Sequence, residues 1–121
     1  MPHEENSDRR LLQAYILLPL VITALERDGR LLARLLRTPA PYVEMAEAAA
    51  AAAARDLRKV RLAMRAAGMR VYENERLADG IRVRYQCRGF HGEMSVTDAK
   101  LADQAVSQMR RYMGLEAPAV R

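Results

Sequence analysis

The chain has no tryptophan, one phenylalanine, one cysteine and two histidines among its 121 residues. Each shortage excludes something. With so few large aromatics, Leu, Ala, Met and Val must fill the core. A single cysteine, Cys87, rules out an intrachain disulfide and fits a reducing cytoplasm. His3 lies in a polar tail and His91 in a glycine turn. Together with Cys87 they are too few ligands for a zinc site, which takes four in characteristic pairs. There is no phosphate-binding glycine loop, no Ser-His-Asp ordering and no recognisable carboxylate pair. The sequence therefore assigns no catalytic residue, no metal ligand and no cofactor, and the expectation is a protein that is not an enzyme.

A long apolar run is also missing. The uncharged stretch Leu11–Leu25 is 15 residues long, whereas a spanning helix needs about 20. Arg9, Arg10, Glu26, Arg27 and Asp28 bound it, and acidic Glu4, Glu5 and Asp8 precede it, unlike a signal peptide. No membrane span is expected. The stretch reads instead as a helix buried on most of its circumference, within the fold or in a dimer.

Charge of one sign is in modest excess, with 20 basic against 15 acidic residues. The excess is spread along the chain, without a basic tail. Only Lys59 and Lys100 are lysines, and the arginine bias with abundant alanine is as much the mark of a GC-rich coding sequence as of phosphate binding.

What is present is helical periodicity. Leu11, Tyr15, Leu18, Ile22, Leu25, Leu32 and Leu36 recur at alternating spacings of four and three, which predicts one long helix capped by Ser7 or Asp8. A second apolar set, Leu12, Ile16, Leu17, Leu20, Val21 and Ala24, covers the other sides of its first half. Pro19 lies inside and predicts a kink, because the pattern continues in phase across it. Gly29 is a second weak point. Thr38-Pro39-Ala40-Pro41 breaks the chain. A second helix then runs to Gly68, with Tyr42, Ala46, Ala49, Ala53, Leu57, Val60, Met64 and Ala67 on one face. Two long helices joined by a short turn predict an antiparallel hairpin.

After Gly68 the period becomes two. Val71 alternates with polar neighbours, and Ile81, Val83, Tyr85 and Cys87 alternate with Arg82, Arg84, Gln86 and Arg88. Asp79-Gly80 marks the turn between these strands. Gly89-Phe90-His91-Gly92 reads as a second turn, with Glu93–Val96 as a third short strand. Thr97 or Asp98 caps a last helix carrying Leu101, Ala105, Met109 and Tyr112, and Gly114 closes it. The fold class is α+β, mainly helical, in a single domain over residues 1–121 with 1–7 and 116–121 as flexible tails.

Four features are candidates for function. Arg82, Arg84 and Arg88 share a strand face that Arg70 joins across the pair, a ribbon able to contact phosphates. The alternative is a solvated sheet face with Glu73 or Glu75 pairing across the strands. Arg58, Arg61 and Arg65 form a stripe on the second helix, where Asp56 can pair with Lys59; this is read as a solubilising face. Tyr15, Leu18, Ile22 and Leu25 form a candidate homodimer face. Cys87, on the apolar strand face, is read as structural, with a thiol sensor as the lesser alternative.

Several strings resemble the YhjD-like proteins, a group of short proteins from Bacillus and Paenibacillus relatives. They are Leu17-Leu18-Pro19-Leu20-Val21, Glu26-Arg27-Asp28, Pro41-Tyr42, Arg55-Asp56-Leu57 and Tyr85-Gln86-Cys87-Arg88-Gly89-Phe90. The resemblance implies a bacterial, cytoplasmic protein and brings no activity, ligand or catalytic residue. The expectation is a non-enzymatic interaction or regulatory protein, homodimeric through its first helix. A nucleic-acid-binding regulator using the hairpin arginines is the alternative.

Overall fold

The computed structural model of the chain describes residues 2–115. The expected tail at 116–121 lies outside them. The apolar stretch lies within one helix, α1 (Pro2–Leu35), which contains Pro19 and runs unbroken through Gly29. Ser7 and Asp8 therefore sit inside the helix rather than capping it. Gly29 is a point of close approach, not a break: a Cβ there would lie 3.4 Å from the Cβ of Ala46 on the next helix.

The buried face of α1 differs from the expected row. Leu12, Ile16, Leu17, Leu18, Val21 and Leu25 are buried, while Leu11, Tyr15 and Ile22 only pack against the core from its edge. A segment that is apolar all round has no unique phase, so its neighbours decide which side is innermost.

The second helix, α2 (Ala40–Ala66), starts in the proline turn and packs mainly along α1, with Ala46, Ala49, Ala50, Ala53, Leu57 and Met64 buried. Alanine there lets the two backbones approach closely. Tyr42, expected on that face, is half exposed. α2 ends at Ala67 and Gly68, the latter at φ 71°.

Three strands follow, β1 (Met69–Arg76), β2 (Gly80–Cys87) and β3 (Phe90–Thr97), paired antiparallel in the order β1-β2-β3. The third strand is as long as the others. The second turn is tighter than expected, because Cys87 pairs with Phe90 and only Arg88 and Gly89 connect them. Their φ values of 48° and 87° are those of a two-residue turn whose twist matches the flanking strands, which needs positive φ at both positions. Gly80 is fixed for a different reason: a Cβ would stand 2.3 Å from the Val96 carbonyl oxygen.

A bulge interrupts β1. Val71 faces Tyr85 and Glu73 faces Arg84, which leaves Tyr72 as the extra residue. One added residue exchanges the two faces of the strand downstream. Glu73 and Glu75 thereby leave the core side and meet Arg84 and Arg82, while Arg76 turns toward the last helix.

That helix, α3 (Asp98–Tyr112), is capped by Thr97, whose hydroxyl accepts from the Lys100 N–H at 3.2 Å. Arg76 grips Asp98 through two bonds of 2.7 and 2.5 Å. The pairing holds the Asp98 carboxyl below the usual carboxylate range.

The core gathers Leu12, Ile16, Leu17, Val21 and Leu25 of α1, Ala49, Ala50, Ala53 and Met64 of α2, Met69, Val83, Cys87 and Met94 of the sheet, and Leu101 of α3. Sheet and α3 thus cover the base of the helical hairpin. Among the described residues, α1 beyond Leu25 buries only Gly29, and α2 before Ala46 buries nothing.

Candidate functional site

The arginine ribbon is largely occupied by its own sheet. Arg82 is bonded to Glu75, and Arg84 lies 2.9 Å from Glu73 and 3.5 Å from Glu93. The bond to Glu75 raises the Arg82 guanidinium above its ordinary range. Arg70 faces Gln86 across the pair and is exposed. His91, expected in a turn, is in β3, where its Nδ1 lies 3.1 Å from the Tyr72 hydroxyl. The resulting surface alternates in sign, whereas a nucleic-acid footprint concentrates positive charge.

Arg88 does not belong to that ribbon. The strand ends at Cys87, and the left-handed backbone of Arg88 sends its side chain to the helices. It donates to the Ala67 carbonyl at 2.7 Å, beyond the end of α2, and to Asp8 Oδ2 of α1 at 2.8 Å. Its own N–H donates to the Gly68 carbonyl at 3.1 Å. One residue thus ties α1, the end of α2 and the hairpin turn together. Cys87 is buried beside this tie, with Sγ 3.6 Å from Asp8 Oδ2 and 3.7 Å from the Ala67 oxygen. A buried thiol facing a carboxylate lacks the electropositive, open setting of a reactive cysteine.

The expected dimer face is mostly spent within the chain. Leu18 and Leu25 are 5% and 1% exposed, and Tyr15 and Ile22 pack against the core edge. A different row of α1 is open. Leu20, Leu31 and Leu35 are exposed, the last by 74%. With Ala24 they recur at helical spacing. Tyr42 and Met45 of α2 are exposed as well.

A concave site lies where the three helices meet. It encloses about 600 Å³ between α1, α2 and α3. Leu17, Leu18 and Val60 supply apolar lining, and Arg10, Lys59 and Arg111 bring positive charge to it. Asp56 does not pair with Lys59; it accepts the Tyr112 hydroxyl at 2.6 Å. Burial and the neighbouring Asp56 carboxylate push the Tyr112 phenol up to about 12. No sequence motif marks this cleft, because its residues come from three elements spread over a hundred positions. Helical spacing alone brings Arg10, Gln13, Ala14 and Leu17 to one side of α1.

Among the described residues no group of three or more His, Cys, Asp or Glu side chains is placed to hold a metal ion, and no helix is long and apolar enough to cross a membrane. The elements define an α+β protein whose helical hairpin is covered at its base by an antiparallel sheet and a final helix, leaving a cleft between the three helices. The chain belongs to the YhjD protein family, which it matches over residues 2–117. No curated protein and no solved structure matches it.

Proposed function

We propose that this protein is a non-enzymatic interaction or regulatory protein that works as a homodimer in the bacterial cytoplasm. The observation that carries the reading is the open apolar row of α1. Leu20, Leu31 and Leu35 stand exposed, with Tyr42 and Met45 of α2 exposed near the same end of the hairpin. The exposed residues Leu31, Leu35, Tyr42 and Met45, gathered near the tip of the hairpin, favour an interaction surface over an ordinary solvated face.

The row is self-complementary. In an antiparallel pairing of α1 with a second α1, about a two-fold axis between Arg27 and Asp28, Leu20 opposes Leu35 of the other copy. Ala24 then opposes Leu31, and Arg27 opposes Asp28. Each contact occurs twice, as an isologous dimer requires. Two hairpins joined this way place four helices side by side, giving the distal helices the apolar cover they lack. The single cysteine supports the cytoplasmic location.

Light scattering on the eluting protein tests this. The expected mass is twice 13.7 kDa at micromolar concentration. A Leu31→Asp/Leu35→Asp double variant is expected to elute as a monomer with unchanged helical circular dichroism. A wild-type chain that remains monomeric at those concentrations would sink the reading. The nucleic-acid alternative draws less support, because Arg82 and Arg84 are paired with Glu75, Glu73 and Glu93.

A further inference from the structure

We infer that the cleft between α1, α2 and α3 is a binding site for a small amphipathic organic anion: an apolar body carrying one carboxylate, phosphate or sulfate group. The volume of about 600 Å³ falls within the range of sites that bury a small molecule. Its lining is divided in the way such a ligand needs. Leu17 and Leu18 of α1 and Val60 of α2 offer an apolar wall, and Arg10, Lys59 and Arg111 converge from three different helices.

Three cations against two carboxylates leave the lining net positive, which favours an anion over a cation. The carboxylates are Asp56 and Asp103. Asp56 is engaged by the Tyr112 hydroxyl at 2.6 Å. Arg10 and Lys59 form no ion pair among the described residues. The Arg111 guanidinium stands 5.9 Å from the Tyr112 ring centre and forms no ion pair among the described residues. This contrasts with the sheet face, where Arg82 and Arg84 are paired with carboxylates. Cations kept unpaired around a concave apolar wall cost solubility nothing and focus positive potential into the cleft.

The assignment does not depend on the dimer. Its test is titration of the ¹⁵N-labelled chain with decanoate, followed by amide shifts, beside parallel titrations with decanol, decylamine and inorganic phosphate. Decanoate is expected to shift the amides of Leu17, Val60 and Ser107. Decanol, decylamine and phosphate should each bind about tenfold or more weakly than decanoate, since each lacks either the anionic group or the apolar body. Lys59→Gln and Arg111→Gln should each weaken decanoate about tenfold, the loss of one charge-assisted bond. Both are surface changes, and circular dichroism verifies the fold.

Three results would overturn the inference. One is equal binding of decanol or decylamine. Another is decanoate binding that is absent, or unchanged in the Lys59→Gln/Arg111→Gln double variant. The third is decanoate binding abolished by Leu35→Asp, which would place the ligand on the exposed row of α1 instead.

Discussion

Arg88 holds a left-handed backbone, uncommon for a residue with a side chain, and its partners account for it. The turn demands positive φ there, and the side chain uses the resulting direction to reach Ala67 and Asp8. Arg88→Ala removes both charge-assisted bonds and leaves Asp8, little exposed, without that cation. Urea denaturation is expected to show a loss of about 1.5–3 kcal/mol, and Arg88→Lys should not fully restore it, since an ammonium lacks the rigid planar fork whose two nitrogens reach the two acceptors separately. Tyr112 gives a second measurable effect. Its phenol titrates near 10.0 when unperturbed and is pushed to about 12 in the folded chain. The folded state therefore holds more protons between those values, and stability falls as pH rises through that window. Chemical denaturation from pH 10 to pH 12 should show this fall, and the Tyr112→Phe variant should show less of it, because the titrating group is gone.

The elements differ in how plainly the sequence announces them. Both long helices, the proline turn, the cap at Thr97 and the alternating β2 strand follow from local chemistry and were legible. The innermost side of α1 was not. Leu11, Leu12, Tyr15, Ile16, Leu17 and Leu18 are apolar in nearly every direction, so spacing alone fits more than one phase. The Tyr72 bulge was also hidden, since a tyrosine suits a strand as well as a bulge. It nevertheless keeps three ion pairs in register, those of Glu73, Glu75 and Arg76. Deleting Tyr72 would remove only the extra residue and keep this pairing, whereas deleting Asn74 would bring Glu75 to the core side opposite Val83, with Arg76 facing away from Asp98. Burying unpaired charge is among the costliest changes a fold can meet. The Asn74 deletion is expected to abolish cooperative unfolding, seen as a flat thermal melt. A control insertion of one glycine after Ala78, in the exposed loop, should leave the melt nearly unchanged. The cleft was illegible for another reason. Arg10, Lys59 and Arg111 acquire a common purpose only when three helices bring them together, and nothing in their local sequence distinguishes them from the solvated Arg58, Arg61 and Arg65.

At the scale of the whole molecule, cohesion is uneven. The base of the hairpin is covered by the sheet and α3, while the tip relies on α1 and α2 alone. Opening free energies follow buried apolar contact. Native-state hydrogen exchange in dilute protein should therefore be faster for α1 beyond Leu25 and α2 before Ala46 than for Leu12–Val21. If two copies pair through Leu20, Leu31 and Leu35, the difference should shrink as concentration rises. The tie made by Arg88 bears on time rather than on this gradient. Its partners stand 80 and 21 positions away along the chain, so it closes only after α1, the end of α2 and the β2–β3 turn have come together. An interaction absent from the folding transition state slows unfolding and leaves the folding rate nearly untouched. Stopped-flow kinetics of Arg88→Ala should place almost the whole effect on the unfolding limb. The same latch would then set how long a folded copy lasts, independently of how quickly a new chain reaches that state.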